Sequence, residues 1–338
     1  MKKLFFNVLG VSFAIIGSVI GAGFITGKEI QVFFCGDLSL AGIYCAFLFF
    51  FMYLFFLSLS PNGFALKAIR TLVALLGIII ASCMTAALNS FFKNAFPKMK
   101  NIKILTITTA ILAIFISCKG IKSIKLFSSF SVPIVIICVI VFSIFFKKPV
   151  DIKTTPTTDK GGIYPVLYVG INCLLSSMVI TDSCRKISVK EKAFVSFIVA
   201  LFLVLCVLGI SLCVIGERGD MPFLSVVCVN PVLSVFASIM TFISIFTSLV
   251  SSVYSAFSIT KGKTSVLQKT LISLVFIMFS EYGFSGFIEK IYPVIGIFGF
   301  ANFVFIALSQ VFQKGRPQRT SIPRECIKSQ SKPLRDRA

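Results

Sequence analysis

Four glycines, Gly17, Gly21, Gly23 and Gly27, interrupt an apolar segment that runs from Leu4 to Phe34. Each weakens a helix by up to ~1 kcal/mol relative to alanine. A bilayer offers no water to broken backbone, so glycines inside one need a reason. Two readings compete. Gly17/Gly21 and Gly23/Gly27 have the spacing that lets membrane helices pack closely. Alternatively the helix is discontinuous around Gly21, Ala22 and Gly23. Freed N–H groups there would face an anion, and freed carbonyls a cation. A second interruption at the matching place in the other half of the chain would decide between them. The segment 163–184 carries Tyr168, Gly170 and Asn172 at about that depth. One interhelical hydrogen bond from Asn172, worth ~0.6–2 kcal/mol, would explain it alone. Taken with the glycine cluster, a second broken helix explains both.

Few other residues could do chemistry inside the membrane. Histidine is absent, which removes imidazole metal sites and His-based acid–base catalysis. Lys28 and Glu29 would stand ~13 Å beyond Ile20 on a straight helix, near an interface, as an anchor or part of a gate. That leaves no buried carboxylate for a strongly cationic substrate, which argues against polyamines. Asp182 precedes Lys186 by four residues and reads as an ordinary helical ion pair. Without paired intramembrane carboxylates or a Cys–base arrangement, an enzyme is not expected. The eleven cysteines lie mostly in apolar segments and contain no Cys-x-x-Cys, so they read as small apolar fillers.

These residues are carried by a chain that is 57% hydrophobic over 338 residues, with a mean hydropathy of +0.99. Soluble domains are less apolar. The expectation is an all-α integral membrane protein of about ten spans: 4–34, 40–60, 66–92, 102–118, 124–146, 163–184, 193–215, 232–258, 266–280 and 287–312. The net charge of +21 lies in short loops and the C-terminal segment, so it signals topology rather than nucleic-acid binding. With the N-terminus inside, inner loops carry fourteen Lys and Arg against ten in outer loops, and the tail adds eight. Both termini are therefore expected in the cytoplasm, with the protein in the cell membrane. Residues 1–312 form one transmembrane domain. The polar stretch 147–162 divides it five plus five, into halves 4–146 and 163–312. Residues 313–338 read as a basic, disordered tail. A five-plus-five division is the pattern of an inverted-repeat transporter.

Gly17 through Glu29, followed by Phe33-Phe34, resembles the first-helix signature of the YkvI-type bacterial membrane proteins. Tyr168-Val169-Gly170-Ile171-Asn172 resembles their sixth-helix stretch, and Tyr292-Pro293-Val294-Ile295-Gly296 their tenth-helix opening. That family is similar to the amino acid–polyamine–organocation superfamily, which has the LeuT-type fold. The resemblance implies a 5+5 inverted repeat with broken helices 1 and 6 and the substrate held between them. It also implies a sodium site, with carbonyls from Gly17, Ile20 and Ser244 and hydroxyls from Thr247 and Ser248. Residues 244, 247 and 248 share one helical face, although such hydroxyls often bond their own i−4 carbonyl. The expected function is secondary active transport of a small zwitterion, an amino acid first, with sodium as a possible coupling ion and no other cofactor. Its carboxylate would meet the N–H groups of Gly21, Ala22 and Gly23. Its ammonium would meet carbonyls near Tyr168–Gly170, with Tyr168 and Asn172 as side-chain partners. The alternatives are a non-transporting amino-acid receptor, or a carrier of a nucleobase, ion or organic anion.

Overall fold

A computed structural model describes residues 2–34, 39–58, 64–147, 163–183, 187–217, 219–228, 231–257 and 283–314, with Val275 and Met278. The ninth expected span, most of the 147–162 division and nearly all of the tail lie outside these residues. Within them there is no strand. The helices are α1 (Lys2–Val19), α2 (Ala22–Ile25), α3 (Lys28–Phe34), α4 (Ser39–Ser58), α5 (Phe64–Ala95), α6 (Ile102–Cys118), α7 (Ile121–Phe146), α8 (Ile163–Ser183), α9 (Val189–Val214), α10 (Pro222–Val227) and α11 (Pro231–Phe257). A short turn at Phe284–Gly286 and a π-helical turn at Phe287–Ile291 lead into α12 (Tyr292–Lys314).

Six of the described helices are long and apolar enough to cross a bilayer, and three shorter apolar helices accompany them. The polarity is inverted relative to a soluble protein. Ser12, Thr85, Ser176 and Ser196 are fully buried, while Phe130 and Phe145 are 71% and 77% exposed. Large apolar side chains facing outward across α6 and α7 are what a lipid solvent demands, since backbone and hydroxyl groups must be satisfied inside. The chain is a multi-pass membrane protein.

The packing follows the repeat. The α1–α7 contact has its counterpart in α8–α12, and α1–α9 in α8–α4. Likewise α1–α11 matches α8–α5, and α7–α9 matches α12–α4. The α4–α9 and α5–α11 contacts each map onto themselves. Exchanging the halves therefore maps this set of contacts onto itself.

The first span is interrupted twice, at Ile20–Gly21 and at Thr26–Gly27. The second break rests on Gly27, whose φ of +79° is a conformation that side chains disfavour. The expected break in the sixth span is not present. Helix α8 is continuous from Ile163 to Ser183. Gly170 serves close approach instead: a Cβ there would lie 2.8 Å from the Gly296 carbonyl oxygen of α12. Gly299 faces the Gly170 backbone from the other side. A single glycine used for packing leaves the helix continuous.

Candidate functional site

At the first break, the Gly21 N–H donates to the Val19 carbonyl at 2.8 Å rather than to Gly17, four residues back. This three-residue turn frees the Gly17 carbonyl from the helix. The Ser248 hydroxyl of α11 fills the gap, donating to Ile20 at 3.1 Å and to Gly17 at 3.4 Å. Gly21 packs against the same hydroxyl. Thr247 lies against Gly17 through its methyl group, and its own hydroxyl donates to Ile243 at 2.6 Å. Ser244 donates to Met240 at 3.0 Å. Both are the local i−4 bonds anticipated for such residues. A further group was not foreseen from sequence. Among the described residues the buried Ser128 hydroxyl of α7 has no hydrogen-bond partner, and it abuts Gly17. Two released carbonyls and three nearby hydroxyls make a set of neutral oxygens that could hold a hard cation.

After Gly27 the chain turns into α3, and this redirects its first two residues. Lys28 pairs with Glu289 of the π-helical turn at 2.7 Å. Glu29 points the other way. It is 4% exposed and accepts a 2.6 Å hydrogen bond from the Tyr168 phenol of α8. Gly23 makes room for it, because a Cβ at Gly23 would collide with the Glu29 carboxyl. Among the described residues no cation pairs with Glu29. The straight-helix expectation that put Glu29 at an interface is thus corrected. The rise of ~1.5 Å per residue does not hold across two breaks.

Aromatic rings pack around the Tyr168 ring that holds this carboxylate. Phe33 stacks on Tyr168 with centroids 4.9 Å apart, and Phe34 meets Tyr168 edge-on at 5.6 Å. Tyr44 lies 5.4 Å from the same ring. The Asn172 amide donates to the Tyr44 hydroxyl at 2.8 Å. A buried carboxylate hydrogen-bonded by one ring of an aromatic cluster is chemistry that can receive an organic cation.

The face of the protein toward α10 is closed over this site. The Phe223 N–H donates to the Thr26 carbonyl at 2.8 Å. The Gln31 amide bonds the carbonyls of Glu217 and Val214 at 2.8 and 3.3 Å. Ser285 donates to Asp220. At the opposite end Asp182 accepts a 2.6 Å bond from Tyr254; its expected partner Lys186 lies outside the described residues.

No protein-family model matches the chain, and no curated protein matches it in sequence. Solved structures do match in shape. One is Mhp1, a nucleobase-cation-symport-1 family transporter, in a closed conformation with bromovinylhydantoin bound. It has a TM-score of 0.54 at 15% identity, over 86% of this chain and 74% of that one. A manganese transporter of Eremococcus coleocola gives 0.52 at 15% identity, over 92% and 78%. Mhp1 facing inward gives 0.51 at 14% identity, over 87% and 73%.

The chain has the LeuT-type fold.

In that fold's terms, Gly21 and Ala22 sit where α2 packs on α11 and α5, while Gly23 lies against the Glu29 carboxyl held by Tyr168, and Tyr168 and Asn172 of α8 meet at Tyr44. Gly170 lies on the same helix but at its contact with α12. Gly17, Ile20, Thr247 and Ser248 meet between α1 and α11, while Ser244 lies one turn away along α11. Glu29 is the residue that sequence reasoning missed. The available signal was Gly27 two positions earlier, which breaks the helix assumed in placing it.

Proposed function

We propose that the protein is a secondary active transporter that works by alternating access and carries a small solute bearing an ammonium group, an amino acid first. The observation that carries this reading is Glu29, buried with no cationic partner among the described residues and hydrogen-bonded by Tyr168, itself packed among aromatic rings. A buried unpaired carboxylate is costly, and a cationic cargo would offset that cost. The ammonium would therefore bind at Glu29, among Phe33, Phe34, Tyr44 and Tyr168, and not at opened carbonyls of α8. The substrate carboxylate would lie toward the N–H groups of Ala22 and Gly23, at the start of a helical segment where acceptors run short; the Gly21 N–H is already given to Val19. The neighbours of the same fold include a nucleobase-cation-symport-1 family transporter with a hydantoin bound and a manganese transporter. A lone carboxylate suits an organic amine better than a divalent metal, which takes several oxygen ligands.

Sodium is the coupling ion we favour, supported by the Gly17, Ile20, Ser128, Thr247 and Ser248 oxygens. An ion there would tie α1 to α11 and hold the site in its substrate-ready form. Lys28–Glu289 would act at the gate above. One observation favours a second reading, an amine without a carboxylate such as a polyamine: the same Glu29. Uptake into proteoliposomes of amino acids and of amines without carboxylates, in sodium and in potassium, separates the cases. Uptake of neither class, with binding of an amino acid retained, would replace transport by a receptor function.

A further inference from the structure

A groove of about 940 Å³ lies between α5, α6, α10 and α11, apart from the site around Glu29. Its walls include the rings of Phe92 and Phe242, 6.0 Å apart. Its lips, Val235 and Ile239, are 59% and 52% exposed. Those lips belong to the apolar outer surface of α11, so the groove opens into the hydrocarbon of the bilayer. Asn94 and Ser225 add polar groups to its lining.

Beside it the charge is unusual. Lys93, Lys98, Lys100 and Lys103 fall within eleven residues, and all four are exposed. No acidic residue occurs between Asp37 and Asp151, so α5, α6 and their connection carry only positive charge. The acidic groups on the neighbouring loop are Glu217 and Asp220, and Asp220 accepts a bond from Ser285. Lys93 is accounted for by the last turn of α5, where a cation favours the helix dipole. Lys98 and Lys100 are not. They stand just before the N-terminal end of α6, where the same dipole disfavours cations. They also lie on the face opposite the N-terminus, where short loops carry fewer lysines. Basic residues beside a pocket between membrane helices fit a lipid headgroup.

We propose that this groove binds an anionic phospholipid of the surrounding bilayer, with its acyl chains along Phe92, Phe242 and Ile239 and its phosphate at Lys98 and Lys100. A soluble anion would use the lysines but not the groove. A zwitterionic lipid would fill the groove without using the charge.

The full-length protein in neutral detergent is titrated with phosphatidylglycerol, phosphatidylcholine and glycerol 3-phosphate, reading melting temperature and bound lipid by native mass spectrometry. Phosphatidylglycerol should bind at least tenfold more tightly than phosphatidylcholine, and glycerol 3-phosphate should have no effect. The double variant Lys98→Gln, Lys100→Gln should lose most of that preference, up to roughly fivefold per lysine, with its melting temperature in detergent alone unchanged. Lys98→Gln alone gives the same reading if the double variant is unstable. Ser238→Phe, which fills the groove, should weaken binding of both lipids. Equal binding of the two lipids, a preference that survives the lysine substitutions, or an unchanged affinity in Ser238→Phe would each overturn the proposal. Glycerol 3-phosphate matching the phospholipid would replace it with a free-phosphate site.

Discussion

The Tyr168 phenol and the Glu29 carboxylate, 139 residues apart in the chain, meet at 2.6 Å where the two halves of the repeat face each other. A hydrogen bond to a charged group is worth ~1.5–3 kcal/mol. This one ties the interrupted first span to the uninterrupted sixth. It also fixes the carboxylate's direction, since the Gly23 backbone closes the other side.

Replacing Glu29 by Gln keeps the shape and the hydrogen bond to Tyr168 but removes the charge. Affinity for an ammonium solute should fall ten- to a hundredfold, as expected for loss of ~1.5–3 kcal/mol. Tyr168→Phe should cost less, because the carboxylate remains. Radioligand binding to purified variants tests the order. Equal affinities in Glu29→Gln and the parent protein would remove Glu29 from the site.

Gly23→Ala should be severe for its size. The added methyl group runs into the Glu29 carboxyl, so either the carboxylate or the α2 turn must move. Gly42→Ala is the control, since a Cβ there meets nothing within 4 Å. The expected result is normal membrane insertion for both and loss of uptake for Gly23→Ala only. Gly23→Leu should abolish uptake altogether.

The sodium reading predicts a division among hydroxyls. Ser248→Ala and Ser128→Ala should each raise the sodium concentration needed for half-maximal uptake, several-fold or more. Ser244→Ala should change it little, because Ser244 lies one turn away along α11 from Thr247 and Ser248. Identical sodium curves for all three variants would exclude this set of oxygens as the coupling site.

Gly170→Ala tests the seam between α8 and α12. The methyl group would approach the Gly296 carbonyl oxygen to 2.8 Å and the Phe300 nitrogen to 2.9 Å. Overpacking of this kind costs ~1–3 kcal/mol. Thermal unfolding in detergent should move down, while Gly10→Ala, with its nearest neighbour at 3.6 Å, should leave it nearly unchanged.

Much of this architecture was legible in the sequence, because the bilayer restricts the options. Hydropathy placed α6 at 102–118 to the residue and α4, α7, α8 and α11 to within a few residues. The break near Gly21 followed from glycine chemistry. Two things were not legible. Gly170 looked like a helix breaker, yet its reason lies 126 residues further on at Gly296, and only three-dimensional packing reveals that. Glu29 was placed by counting along a straight axis, and the left-handed turn at Gly27 invalidates the count. Ser128 carries no local signal, since one serine among many in α7 becomes distinctive only through its position beside Gly17.

The latch over the site is built partly from main chain. Phe223 gives its backbone N–H to the Thr26 carbonyl, and the Gln31 amide grips the carbonyls of Val214 and Glu217. Residue-by-residue truncation to alanine will therefore underestimate what holds the entrance shut. It deletes the Gln31 amide but leaves every backbone donor and acceptor in place. Residue 223 is uncoupled from Thr26 only by removing its N–H, as Phe223→Pro does at a position already inside the first turn of α10, where proline is tolerated. A survey confined to side chains would rank this entrance as looser than it is and attribute slow exchange to the binding site beneath.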